Sequence, residues 1–251
     1  MVQSRREMLK LMLRGGTAAA AVAIGGGIAS AQEDTPEQAA VDASKHWGMV
    51  IDLRKCIGCQ ACTVACAMEN ETPTGYNRTF VSIYEIEEDS VPRRAQLPRM
   101  CNHCADAPCL TVCPTLATYR TDDGIVVIDQ DECIGCAYCV QACPYEARFV
   151  NPATQTVDKC NFCMHRVHAG LLPACVETCV GSARVFGDFN NPDSTVSKLI
   201  AEHDVEVLKP NENTRPNVYY IGLNEYLRAK VEGRPVPEIA DALRPEVSHD
   251  A

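Results

Sequence analysis

The apolar positions of this chain fall in short runs broken by turn residues, so the pattern predicts small elements. Residues 47–53 (WGMVIDL) and 80–86 (FVSIYEI) are rich in β-branched and aromatic residues and predict strands. Residues 124–129 (GIVVID) follow the turn residues Asp122, Asp123 and Gly124 and predict a hairpin strand, and 218–221 (VYYI) predicts another. Residues 190–193 read as a turn, 194–203 as a short helix capped by Asp193 or Ser194, and 224–231 as a second helix. The last residues are Pro-rich and charged and read as a mobile or partner-bound tail. No uninterrupted apolar run reaches the roughly 18–20 residues that a bilayer-spanning helix needs.

The first 31 residues read differently. MVQSRREMLK carries the adjacent Arg5 and Arg6, an Ala/Gly-rich stretch follows, and Ala29-Ser30-Ala31 has the form of a cleavage site. The pattern S-R-R-x-x-L-K resembles a Tat export signal, with Met8 where many such signals have Phe. The expected destination is the periplasm. Cleavage after Ala31 removes four basic side chains and one acidic one, taking the net charge from −10 to −13. Such an acidic protein lacks the basic face of a phosphate-backbone binder, which argues against a nucleic-acid role.

Sixteen of the 251 residues are cysteine, while Phe, Trp and Tyr together make only 6%. They form four groups of four: Cys56, Cys59, Cys62, Cys66; Cys101, Cys104, Cys109, Cys113; Cys133, Cys136, Cys139, Cys143; and Cys160, Cys163, Cys175, Cys179. Groups one and three share the spacing C-x2-C-x2-C-x3-C and align at an offset of 77 residues, which reveals an internal duplication. Groups two and four open with CNHC and CNFC and widen the middle gap to four and eleven residues. The compact spacing, closed by Cys143-Pro144 in group three, is the bacterial ferredoxin run, in which three cysteines bind one 4Fe-4S cluster and the fourth binds another. Groups one and four have Ala67 and Val180 in place of that proline, so their last turns are expected to differ.

Export alone favours a disulfide reading, but disulfides do not require a cysteine at every third position. A closed zinc site takes two C-x2-C pairs and leaves the third cysteine of groups one and three unexplained. Four 4Fe-4S clusters use every thiol. Exchange of fourth cysteines pairs either groups one with two and three with four, or two with three nested inside one with four. The 19 residues between groups two and three, against 34 between one and two, favour nesting.

The segments CIGCQACTVAC, LPRMCNHCADAPC, ECIGCAYCVQACPYEARF, KCNFCMHR and LLPACVETCVGSARVFGD resemble the four-cluster iron–sulfur (beta) subunits of the DMSO reductase superfamily, over about residues 46–222. The export signal and the VLKP tract at 207–210 are most like the branch serving tetrathionate reduction. The resemblance implies one cluster on Cys56, Cys59, Cys62 and Cys179, and a second on Cys66, Cys160, Cys163 and Cys175. It implies a third on Cys101, Cys104, Cys109 and Cys143, and a fourth on Cys113, Cys133, Cys136 and Cys139. It further implies a non-catalytic relay between a quinone-reactive integral membrane subunit and a molybdopterin catalytic subunit, touching the membrane only through its partner. Nitrite-, hydrogenase-, polysulfide- and DMSO-linked complexes, and a free periplasmic polyferredoxin, are the alternatives.

The expected fold class is α+β, two fused ferredoxin-like modules with one nested in the other. The outer module takes residues 32–95 with 150–189, the inner one 96–149, and 190–251 form a C-terminal extension. Four oxidised clusters add roughly −8 to an acidic chain, so Arg54, Lys55, Arg99, Arg148, Lys159 and Arg166, all near cysteines, are candidates to temper it, with ordinary surface ion pairs as the rival reading. His103, His165, His168 and Trp47 are read as hydrogen-bonding, interface or core groups. No catalytic set stands out.

Overall fold

The computed structural model describes residues 41–88 and 91–233. The export signal and the tail beyond 233 lie outside the described residues. The strands are β1 (Trp47–Asp52), β2 (Thr79–Glu88), β3 (Val91–Met100), β4 (Thr118–Arg120), β5 (Val126–Ile128), β6 (Arg148–Val150), β7 (Val157–Lys159), β8 (Arg184–Asp188), β9 (Val205–Glu206) and β10 (Val218–Ile221). The helices are α1 (Ala61–Glu69), α2 (Pro108–Thr111), α3 (Tyr138–Gln141), α4 (Met164–His168), α5 (Ala174–Glu177), α6 (Thr195–Glu202) and α7 (Glu225–Glu232). This is a mixed α and β protein of small sheets, as ferredoxin-like modules require. Among the described residues no helix is long and apolar enough to cross a membrane.

β1 holds the largest sheet together, pairing antiparallel with β8 and parallel with β10, which in turn pairs with β9. Met49, Val50 and Ile51 are all fully buried. Met49 and Ile51 face the main core, while Val50 packs with Val196 of α6 and Ile221 of β10 on the other face. Apolar residues at consecutive positions therefore mark a strand covered on both sides. The segment after residue 190 supplies two of the four strands of this sheet.

Three two-stranded ribbons make up the rest: β2–β3, β4–β5 and β6–β7. The sequence predicts β2 and not β3, whose VPRRAQLPRM carries two prolines. Pro92 and Pro98 pair opposite Glu87 and Val81. They are six residues apart, so both nitrogens point the same way; an isolated ribbon has a free edge on which a missing N–H costs no ladder bond. β4–β5 joins groups two and three, and β6–β7 joins groups three and four. α6 is capped by Ser194, whose hydroxyl accepts from Ser197 N–H at 3.2 Å, and α7 by Asn224, accepting from Leu227 N–H at 2.9 Å.

Candidate iron–sulfur centres

The duplication seen in the sequence is repeated in the backbone. Gly58 and Gly135 have φ of 70° and 69°, and Gln60 and Ala137 have φ of 62° and 61°. Each pair of left-handed residues turns the loop around so that the first three cysteines of a group converge around the start of the helix. In the expanded groups His103 and Phe162, each just before the second cysteine, take the same left-handed conformation. Leu116, Glu146 and Ser182, three residues past Cys113, Cys143 and Cys179, do so again. Group four thus closes with the same turn as groups two and three despite Val180, correcting the expectation from its missing proline. Group one does differ: α1 runs on through Ala67 and Met68 to Glu69.

Three cavities are each walled by four cysteines from two groups. One is lined by Cys56, Cys59 and Cys62 with Cys179. A second is lined by Cys66 with Cys160, Cys163 and Cys175. A third is lined by Cys101, Cys104 and Cys109 with Cys143. Cys62 and Cys66 sit one turn apart on α1 and open into different cavities, as do Cys175 and Cys179 at α5. The remaining four, Cys113, Cys133, Cys136 and Cys139, lie around α2 and α3, which pack against each other. All sixteen are free thiols.

Burial opposes the ionisation of several of these thiols. Burial pushes Cys66 and Cys104 up to about 12 and Cys109 and Cys175 up to about 11, with neighbouring cysteines adding to the effect of burial at Cys66. Cys160, fully buried beside Cys66 and Cys175, is raised well above the ordinary thiol value by burial and then by the charges of those neighbours. Cys56 and Cys143 are raised by burial as well. Cys113 is lowered, because against slight burial its sulfur receives backbone N–H groups of Thr118, Thr115 and Ala117 and the Thr115 hydroxyl. Four crowded thiols become thiolates together only around a strongly cationic centre.

The residues present fit an iron–sulfur core and not a single ion. Among the described residues no three His, Cys, Asp or Glu side chains converge on one metal point. The cysteines surround a space in place of a point, as a multi-iron core requires. Soft thiolates are the ligands that select such clusters. Asn102, buried in the wall of the third cavity, has neither amide atom partnered by the protein, so it offers a hydrogen bond into that space. Asn70 Nδ2 lies 3.6 Å from Cys66 Sγ and 3.7 Å from Cys163 Sγ in the second.

The candidate cations divide. Arg148 and Lys159 are buried among cysteines: Arg148 Nη2 donates to Cys109 Sγ at 2.8 Å, and Lys159 Nζ donates to the Cys160 carbonyl at 2.8 Å. Arg54 and Lys55 instead pair with Asp52, at 2.8 and 3.7 Å. Arg99 bonds the Tyr145 carbonyl and Glu146, and Arg166 bonds Glu69 and Glu177. These four form ordinary ion pairs. The sequence reading missed Arg184, fully enclosed, with Nη1 3.0 Å from Met100 Sδ and 3.9 Å from Cys175 Sγ. Burial works against its charge, but the thiolates of Cys175 and Cys62 outweigh that and hold its pKa above the usual arginine value. The signal was present: AR stands five residues past the last cysteine in both CPYEAR and CVGSAR.

The histidines are structural. His103 stacks on Phe162 with ring centroids 3.7 Å apart, and its Nδ1 accepts from Val126 N–H at 3.0 Å. Burial, then the nearby charges of Lys159 and Arg148, lower its pKa well below the ordinary value, so it is a neutral packing group. His165 meets Glu69 at 2.8 Å, and His168 meets Asp123 at 2.7 Å, the carboxylate that also accepts from Trp47 Nε1.

Residues 93–189 match the family model described as a 4Fe-4S dicluster domain, and residues 47–68 match a 4Fe-4S binding domain. The chain is 49% identical over 209 residues to the B component of the tetrathionate reductase of Salmonella typhimurium, covering 82% of this chain and 84% of that protein. It is 46% identical to the B component of the tetrathionate reductase of Archaeoglobus fulgidus, covering 69% and 81%. It is 40% identical to the B component of the polysulfide reductase of Wolinella succinogenes, covering 71% and 95%. These matches account for the duplicated cysteine loops and the thiol-lined cavities together. The protein belongs to the four-cluster iron–sulfur subunits of the DMSO reductase superfamily, non-catalytic electron-transfer proteins whose cofactors are 4Fe-4S clusters.

Proposed function

We propose that this chain relays electrons between a quinone-reactive membrane subunit and a molybdopterin catalytic subunit of a tetrathionate reductase. The observation that carries the reading is the set of cavities walled by four thiols, each quartet shared between two cysteine groups. Sharing ties neighbouring sites to one short helix or turn and so fixes them at close separation. The proposed ligand sets are Cys56, Cys59, Cys62, Cys179; Cys66, Cys160, Cys163, Cys175; Cys101, Cys104, Cys109, Cys143; and Cys113, Cys133, Cys136, Cys139. When bound, the clusters supply one-electron carriers; the chain's own residues hold them, shield them from water and offset their charge.

Exposed apolar side chains flank both ends of this series. Ile57 and Val180 adjoin Cys56 and Cys179, and Ile134 and Tyr138 adjoin Cys133 and Cys139. Such residues beside the terminal sets support partners at both ends. The tetrathionate assignment rests on the relatives' names and is the finer part of the reading. The Tat-like residues 1–31 support export, already folded, to the periplasm.

The isolated chain should be reducible by artificial donors yet turn over no sulfur oxyanion. The purified complex should reduce tetrathionate to thiosulfate with reduced quinone or viologen. Turnover by the isolated chain would make it an enzyme, and a complex active only on another acceptor would remove the substrate. Replacing Arg5 and Arg6 by Lys should strand cluster-loaded precursor in the cytoplasm; unimpaired export would sink the Tat reading.

A further inference from the structure

Among the described residues three Lys or Arg side chains are buried: Arg148, Lys159 and Arg184. None pairs with a described carboxylate. An enclosed cation without a counter-charge is strongly destabilising, so the anion that compensates each must be sought among its sulfur neighbours. Arg184 walls the first cavity, where its charge acts on Cys62, and reaches Cys175 of the second at 3.9 Å. Lys159 bonds the Cys160 carbonyl of the second set, and its charge acts on Cys101 and Cys109 of the third. Arg148 donates to Cys109 of the third set and acts on Cys139 of the fourth. Arg184 therefore lies against two consecutive ligand sets, and Lys159 bonds the Cys160 carbonyl of the second set and the Val126 carbonyl in the wall of the third cavity. Arg148 bonds the third set while its charge acts on the fourth, so the three together cover every junction of a four-site series.

The two arginines are also equivalent in the duplicated architecture. Arg148 opens β6 and Arg184 opens β8, each five residues after the last cysteine of its group. The strand start fixes where the side chain emerges. A second anchor holds each guanidinium: Thr118 Oγ1 at 3.3 Å from Arg148 Nη1, and Thr79 Oγ1 at 2.8 Å from Arg184 Nη2. The counterparts in groups two and one are Thr118 and Glu71, so each exchange pair holds one arginine.

We propose that Arg184, Lys159 and Arg148 are positioning residues of the relay, one buried cation at each of its three junctions, raising the reduction potentials of both flanking clusters together. The inference rests on the proposed ligand sets. Reducing one cluster adds a negative charge and disfavours reduction of its neighbour, and in a low-dielectric interior that repulsion is strong. A cation between the two attracts the extra electron on either side, so neither site shuts out the next. At Arg184 and Arg148 the guanidinium keeps its charge under all working conditions, which suits the role.

The test is an EPR-monitored redox titration of the intact, cluster-loaded complex carrying Arg184→Met, with iron content measured on the same sample. The proposal expects wild-type iron and a lowered potential for two clusters at once, those bound by Cys62 and by Cys175. The loss should be at least tenfold in each reduction equilibrium, about 59 mV for a one-electron couple. Arg184→Lys, which keeps the charge without the fork, should restore both. Arg148→Met should instead shift the clusters bound by Cys109 and Cys139. Unchanged potentials in loaded Arg184→Met, or a shift confined to one cluster, would overturn the proposal. If Arg184→Met does not load, Arg148→Met and Arg148→Lys decide: potentials that move as much with Lys as with Met mean a structural role only. Failure of the ligand sets looks different: Cys143→Ser would then perturb the cluster signal that Cys136→Ser perturbs, whatever the arginine variants do.

Discussion

At the residue scale several left-handed backbone conformations fall where cysteines must converge. Gly135 has φ of 69°, and a Cβ there would stand 2.1 Å from the Gln155 carbonyl oxygen, a rigid backbone atom. Gly75 has φ of 88° with open space around it. Gly135→Ala should therefore destabilise the fold by clearly more than the roughly 1 kcal/mol that a left-handed alanine alone costs, and lower the iron content. Gly75→Ala should cost about 1 kcal/mol and leave iron unchanged, as read by denaturation midpoint and metal analysis. Equal effects would mean that the Gln155 contact does not constrain the loop. The cysteines were legible in the sequence because their spacing is a local property. The place of Arg184 was signalled by its offset from Cys179, but its burial was not, because that depends on Met49, Thr79 and Met100 arriving from distant segments.

At the element scale, short strands with β-branched runs were legible and their pairing was not. The sequence places β1, β5 and β10 closely, yet nothing local says that β10 lies beside β1 in parallel. β3 escaped because its prolines and charges imitate a loop; only the free edges of a two-stranded ribbon make them tolerable. Helix signals were more dependable. The predicted cap Ser194 does accept from Ser197 N–H, and α6 covers β1 and β8 through Val196. Ser194→Ala should lower stability by about 1 kcal/mol, read from the unfolding midpoint, with the EPR spectrum unchanged. A spectral change would show that α6 influences the cysteine sites, which the cap account does not allow.

At the scale of the whole molecule, the sixteen thiols, the three buried cations and the acidic surface form one electrostatic arrangement. The chain carries −10 before any cluster is added, and its buried positive charge is placed between the thiol sets instead of against carboxylates. The four-fold cysteine pattern was readable from the sequence; nesting is the expectation that the loop lengths favour. What joins each fourth cysteine to its partner loop is three-dimensional: α1 and α5 each present cysteines to two cavities. The ligand exchange is the centre of the account, and serine substitution with EPR tests it most directly. Cys143→Ser and Cys104→Ser, each measured in the anaerobically purified complex, should alter one and the same cluster signal, while Cys136→Ser alters a different one. If Cys143→Ser instead perturbs the signal that Cys136→Ser perturbs, the third and fourth ligand sets are wrong and the nested relay falls with them.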